Sequence, residues 1–227
     1  MNIQEWLEAG KPWNVILHGD CMDLMKHFND KEIPLCITDP PYGIGDFNQS
    51  ASRNFHKKIE WNNEIPTEEY FNELYRISKN RIIWGANYYG KYIIETGRII
   101  HDKVANTGQQ LKELSDADIA SHSFGVNIKI FRYGWRGNVQ GNTINWKNTG
   151  EDARCHPCQK PIALYRWLLQ NYAKPGDKII DTHSGSGSLA CACHLEKFEF
   201  LAIEKDEDYY KSSCERLETL RSQGVLF

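Results

Sequence analysis

The chain lacks any long hydrophobic run, and no stretch approaches the roughly eighteen apolar residues of a membrane span. Its N-terminus, Met1-Asn2-Ile3-Gln4-Glu5, has neither the basic nor the apolar region of a signal peptide, so a cytoplasmic location is expected. Repeats, low-complexity tracts and obvious linkers are absent too. At 227 residues the expectation is one α/β domain spanning 1–227. The seven cysteines are an odd count without a secretory signal and read as reduced thiols. Cys155-x-x-Cys158 and Cys191-x-Cys193, near His156, His183 and His194, lack a zinc-knuckle pattern, so no metal is expected. Cys191 and Cys193 read instead as part of a helix packed on a sheet. A cationic excess is also missing, since the net charge is -3. Its distribution is uneven, however. Residues 41–176 hold 18 Lys/Arg against 13 Asp/Glu, and the flanks hold 9 against 17. Any field that attracts a polyanion therefore belongs to the central segment.

Apolar runs closed by acids are what the chain does have. Ile33-Pro34-Leu35-Cys36-Ile37 reads as a buried strand and leads into Asp39-Pro40-Pro41-Tyr42. The two prolines fix φ and remove two backbone donors, so this turn is stiff. An acidic acceptor, a carbonyl and an aromatic plate within four residues can grip a planar exocyclic amine. Lys178-Ile179-Ile180-Asp181 is a second such strand and runs into Thr182-His183-Ser184-Gly185-Ser186-Gly187-Ser188. A strand, a Gly-rich turn and a helix start let backbone approach a ligand closely. The next strand, Phe200–Ile203, ends in Glu204, placed to accept hydrogen bonds from ribose hydroxyls. No Gly-Lys-Ser/Thr follows the turn, which argues against a phosphate-binding P-loop.

Further strands are expected at 14–18, 81–86, 98–101, 117–121 and around 128–131. Helices are expected near 22–28, 67–78, 161–172, 187–195 and 206–222. Strands alternating with helices predict a mainly parallel, doubly wound sheet. Residues 43–66 and 132–155 read as irregular. Asp20 has an alternative use as a helix N-cap. Trp84, Trp146 and Trp167 read as core or interface residues.

Together, Asp39–Tyr42 and Asp181–Ser188 resemble the S-adenosylmethionine-dependent DNA amino-methyltransferases. The DPPY motif comes first and the Gly-rich turn late, as in the circularly permuted beta class. His18-Gly19-Asp20-Cys21, Trp84-Gly85-Ala86-Asn87 and His156-Pro157-Cys158-Gln159-Lys160-Pro161 resemble three further motifs of that family. The likeness runs from about residue 14 to 210. It implies a single Rossmann-like domain with a mainly parallel seven-stranded sheet, one antiparallel strand and a permuted motif order. It implies methyl transfer to N6 of a flipped-out adenine in double-stranded DNA, without a metal. Asp39, Pro40 and Tyr42 would be catalytic. Asp20, Cys21, Asp39, His156, Gln159, Lys160, Asp181, His183, Ser184, Gly185, Ser186, Gly187 and Glu204 would hold the cofactor. Asp181-Thr182-His183 departs from the family's DPF, and Cys158 replaces its usual Thr.

Two polar segments are expected to contact DNA. One, within 43–66, offers Arg53, His56, Lys57 and Lys58 to phosphates. The other, within a short recognition stretch at 124–155, offers Arg132, Trp135, Arg136, Asn138, Gln140 and Lys147. The resemblance also suggests a homodimer, and nucleoid association when on DNA. Cytosine-N4 methylation and a catalytically silent DNA-binding partner subunit are the alternatives.

Overall fold

The computed structural model describes residues 1–45, 63–105, 115–136, 139–140, 143–144 and 158–223. Eight strands form one sheet: β1 Val15–His18, β2 Ile33–Thr38, β3 Ser78–Trp84, β4 Gly97–Asp102, β5 Ala117–His122, β6 Ile128–Arg132, β10 Lys178–Asp181 and β11 Glu199–Glu204. Their spatial order is β1-β11-β10-β2-β3-β5-β4-β6. All run parallel except β5, which is antiparallel to both β3 and β4. The sheet thus has eight strands where seven were expected, with the single antiparallel strand as anticipated. Three two-residue strands, β7 Trp135–Arg136, β8 Val139–Gln140 and β9 Thr143–Ile144, form a small antiparallel sheet inside a stretch that reads as irregular.

Helices cover both faces, and their local causes are readable. α1 (Ile3–Glu8) begins with a reciprocal capping box between Asn2 and Glu5. α2 (Cys21–Met25) is capped by Asp20, which accepts from the Met22 N–H at 2.9 Å. α3 (Glu68–Ile77) is capped by Thr67 and carries Glu68 and Glu69 in its first turn, where the helix dipole favours acids. α4 (Ile162–Tyr172) follows Pro161, and α6 (Glu207–Ser222) is capped by Asp206. α5 (Ser188–Glu196) buries Cys191 and Cys193, as the sequence predicts.

α4, α5 and α6 pack on one face with Leu35, Ile37, Trp84 and Ile179. α1, α2 and α3 pack on the other with Cys36, Ile83, Ile180 and Leu201. Each fully buried leucine or isoleucine contributes on the order of 1.5–3 kcal/mol relative to exposure. With both faces covered, the central strands read as continuous apolar runs rather than alternating ones. Pro34 fits in β2 because pairing with β10 starts only at Leu35. Among the described residues no helix is long and apolar enough to cross a membrane.

Candidate active site

β10 lies between β11 and β2 at the centre of the sheet. The chain leaves β10 through α5 on one face and passes from β2 to α3 on the other, so a crevice opens beyond the carboxyl ends of β2 and β10. Asp39 follows the end of β2, and Asp181 is the last residue of β10. Two acidic turns far apart in sequence thereby share one crevice.

At the first turn both carboxylate oxygens of Asp39 and the Pro40 carbonyl are engaged. Lys160 donates to Asp39 Oδ2 at 2.6 Å, and the Tyr42 hydroxyl donates to Asp39 Oδ1 at 2.5 Å. Lys160 Nζ also lies 3.0 Å from the Tyr42 oxygen and sits over the Tyr42 and Trp84 rings, 5.6 and 5.2 Å from their centroids. Burial, followed by the charge of Asp39, pushes the Tyr42 phenol well up, so it stays a donor. The Pro40 carbonyl accepts from the Tyr89 hydroxyl at 2.7 Å. Tyr88 stacks on Tyr42 with centroids 4.8 Å apart and planes at 14°. Gly85, at φ +80°, leaves the room Tyr42 needs; a Cβ there would lie 2.4 Å from that ring.

The second turn holds itself together. The Ser184 N–H donates to the Ile203 carbonyl, the Gly185 N–H to Glu204 Oε2 at 2.7 Å, and the Gly187 N–H to the Ser184 carbonyl. Three N–H groups that could have met a ligand therefore fix the loop. Asp181 is buried and accepts from the His183 N–H at 3.1 Å. Burial raises its carboxyl to about 8, and Asp39 and Glu204 add to the rise. Burial also raises Glu204, against hydrogen bonds from Asp206 and Gly185. The buried Ser184 Oγ has no hydrogen-bond partner among the described residues.

His183 stands where the resemblance implies Phe. Its ring meets Tyr70 edge-on at 5.2 Å, and its Nδ1 is 3.1 Å from Thr182 Oγ1. Burial lowers it to about 4, so it is a neutral ring that partly keeps the apolar role of the residue it replaces. Thr182 Oγ1 continues to Tyr70 and Thr38, forming a hydroxyl chain beneath both turns.

Other expected site residues fall in several places. Asp20 is the N-cap of α2 and also accepts from Lys205 at 2.9 Å. Burial, then the charge of Asp20, pushes the neighbouring Cys21 thiol up to about 12. Gln159 is buried, and its carbonyl accepts from the Trp135 indole at 2.5 Å. Trp135, expected to contact DNA, is itself buried and anchors the small sheet to the Gln159-Lys160 segment. Ser186 Oγ is 3.0 Å from Ser188 Oγ, and the Ser186 carbonyl accepts from Arg216. Arg132 is exposed at the end of β6, Gln140 is half-buried, and Arg136 is placed by its backbone in β7. His156, Arg53, His56, Lys57, Lys58, Asn138 and Lys147 lie outside the described residues.

Sequence reasoning missed two contacts. Lys160, expected beside the cofactor, has its ammonium on Asp39, 121 positions away. Asp118, on β5, stands 3.9 Å from the same ammonium. An aspartate within a strand otherwise half or fully buried was the only available signal.

A doubly wound, mainly parallel sheet whose central strands end in an acidic turn and a Gly-rich turn is a Rossmann-like arrangement. A family model described as DNA methylase matches residues 128–215, the part that contains Lys160, Asp181 and Glu204. The type II methyltransferase M.HpaI of Haemophilus parainfluenzae is 24% identical over 90% of this chain and 74% of its own length. The DNA adenine methyltransferase YhdJ of Escherichia coli (strain K12) is 22% identical over 92% of this chain and 84% of its own. Among solved structures, the M1.HpyAVI–SAM complex aligns with a TM-score of 0.56 at 20% identity, covering 89% of this chain and 98% of that one. The cytosine-N4-specific PvuII DNA methyltransferase aligns at 0.58 with 12% identity, covering 91% and 89%. Residues 128–215 are thus similar to the N6/N4 DNA methylase family, and most of the chain is similar to proteins named as DNA methyltransferases.

Proposed function

We propose that the protein transfers a methyl group from S-adenosylmethionine to the N6 amine of an adenine flipped out of double-stranded DNA. The observation that carries this reading is the shared crevice: Asp39 and Asp181 end neighbouring strands, so an amine acceptor and a cofactor turn face one space.

The residues at the second turn fit that cofactor. Asp181 and Glu204 are carboxylates held above their ordinary values by burial, an environment that favours a cationic, hydroxyl-bearing ligand over a phosphate. Ser184 Oγ is a buried polar atom in need of a partner. Gly187, at φ +71°, brings the turn within 3.0 Å of Ser213 measured from an added Cβ, leaving no room for a side chain. Asp181 and Glu204 would hold the ammonium and ribose groups, with Ser184 beside them. The cofactor supplies a methyl on a positively charged sulfur, already activated for in-line displacement.

The chain's own part is to hold the amine. An aromatic amine is a poor nucleophile because its lone pair is delocalised into the ring. Asp39 accepts one N–H and the Pro40 carbonyl the other, drawing the nitrogen toward tetrahedral geometry. Both acceptors stabilise the positive charge that grows there, without reorganising during the reaction. Tyr42 offers the flipped base a plate to stack on once Tyr88 gives way. Asp in the first position of the motif, by resemblance, favours adenine, and the likeness to YhdJ agrees.

Incubation with methyl-tritiated cofactor and duplex DNA, followed by hydrolysis to nucleosides, tests the reading. Label is expected in N6-methyladenine. Label in 4-methylcytosine would correct the base, and unlabelled DNA would overturn the proposal.

A further inference from the structure

We propose that Asp118 is a positioning residue: it provides the second seat for the Lys160 ammonium, which must leave Asp39 before a substrate amine can bind there. This rests on the amine-methylating reading above and extends it to a residue outside the family's motifs.

Both oxygens of Asp39 are already taken, one by Tyr42 and one by Lys160. The ammonium therefore occupies the position that an incoming amine needs. Lys160 is only 4% exposed and cannot retreat into water. A buried ammonium stripped of its carboxylate is strongly disfavoured, so it must move to another anion. Asp118 Oδ2 is that anion, 3.9 Å away from Nζ. A shift of about 1 Å brings the two into hydrogen-bond range.

The surroundings of Asp118 suit this role. Its other oxygen, Oδ1, is fixed by Lys103 at 2.8 Å. His101 Nδ1 is the nearest competitor for Oδ2, at 3.8 Å. Yet His101 Nε2 faces the Tyr133 carbonyl at 3.1 Å and must carry the proton of a neutral ring. Burial keeps that ring neutral down to about pH 4, so its Nδ1 is bare and cannot bond to a carboxylate. Among the described residues no hydrogen bond to Oδ2 is formed, and the seat is kept for Lys160. Asp39, Lys160, Asp118 and Lys103 then form two ion pairs, bridged by the 3.9 Å contact. When Lys160 crosses over, the four charges still cancel. Asp39 then faces the substrate as a carboxylate, with its charge directed at the nitrogen that becomes positive.

The test is a double-mutant cycle read by single-turnover methylation, with cofactor and DNA affinities measured alongside. Asp118→Asn should slow the single-turnover step about 10- to 100-fold while both affinities stay within about twofold, since only the handover is impaired. Asp118→Glu, which keeps the charge, should recover at least a third of the rate. In a Lys160→Met background Asp118→Asn should change the residual rate less than about threefold, because there is no ammonium left to seat. Equal losses in both backgrounds, a failure of Glu to rescue, or a loss that follows cofactor affinity would each overturn the role. Those outcomes leave the methyltransferase reading intact. A wild-type protein that methylates no DNA would overturn both.

Discussion

The two acidic turns of the crevice solve opposite problems. Asp39 is surrounded by donors from its own chain: an ammonium, a phenol and, one residue on, a phenol against the Pro40 carbonyl. Asp181 is buried with a backbone N–H and no cation in hydrogen-bond contact among the described residues, and its carboxyl is raised to about 8. On the proposed reading, the Asp39 end, the amine end, carries stand-ins that a substrate displaces. On the same reading, the Asp181 end, the cofactor end, carries a carboxyl without a counter-ion, which a cationic ligand ionises and pairs. One end is organised for exchange, the other for capture.

The largest effect should come from the amine end. Asp39→Ala removes the acceptor that is strengthened in the transition state, and methyl transfer should fall by at least about 10²–10³-fold. Cofactor affinity should stay within a few-fold, because Asp181, Glu204 and Ser184 are untouched. Lys160 would retain Asp118 as counter-ion, so the fold should survive. Isothermal titration with the cofactor separates the two ends. A strong loss of affinity in this variant would show that they are not independent.

The cofactor end should respond to pH instead. The folded-state value of Asp181 lies above its ordinary one, so between about pH 4 and 8 the free protein binds a proton that the unfolded chain does not. Its contribution to stability is therefore greatest at low pH and declines as pH rises toward 8. A cationic ligand selects the ionised carboxylate and expels that proton. Cofactor affinity should rise by up to about tenfold per pH unit between 6 and 8 and level off above. Asp181→Asn should be weaker at high pH and nearly flat across the range. An unchanged slope in that variant would move the titrating group elsewhere.

The difference between the ends also explains what could be read from the residues alone. Strands β2, β10 and β11 were legible because both faces of the sheet are covered, which leaves apolar runs that stop at an acid. α1 was legible in principle through the Asn2–Glu5 box, but six residues give too little periodicity to draw attention. The three strands of the small sheet have two residues each, below any alternation signal. Motif spacing located the Asp181 turn and its Glu204 partner because the contact is local, across one strand–helix–strand unit. The donors around Asp39 come from Lys160, Tyr42 and, through Pro40, Tyr89, and the residue behind them is Asp118 on the antiparallel strand. Except for Tyr42, three residues from Asp39, these contacts arise from sheet order and leave no spacing in the chain.

The smallest effect tests whether the donors at the amine end are all of one kind. Tyr89 is 1% exposed, and its hydroxyl donates to the Pro40 carbonyl, the acceptor assigned to the second N–H of the amine. A carbonyl oxygen has two lone pairs, so Tyr89 and a substrate can share it, unlike Lys160 at Asp39. Tyr89→Phe should cost about 1 kcal/mol of stability from the lost hydrogen bond. For a chain of this size that is roughly 2–4 °C in Tm. The single-turnover rate should change by less than about threefold, since the carbonyl stays where Pro40 and Pro41 fix it. A loss approaching that of Asp39→Ala would make the Tyr89 hydroxyl part of the amine grip. An accelerated step would make it a competitor that the substrate displaces, as Lys160 is.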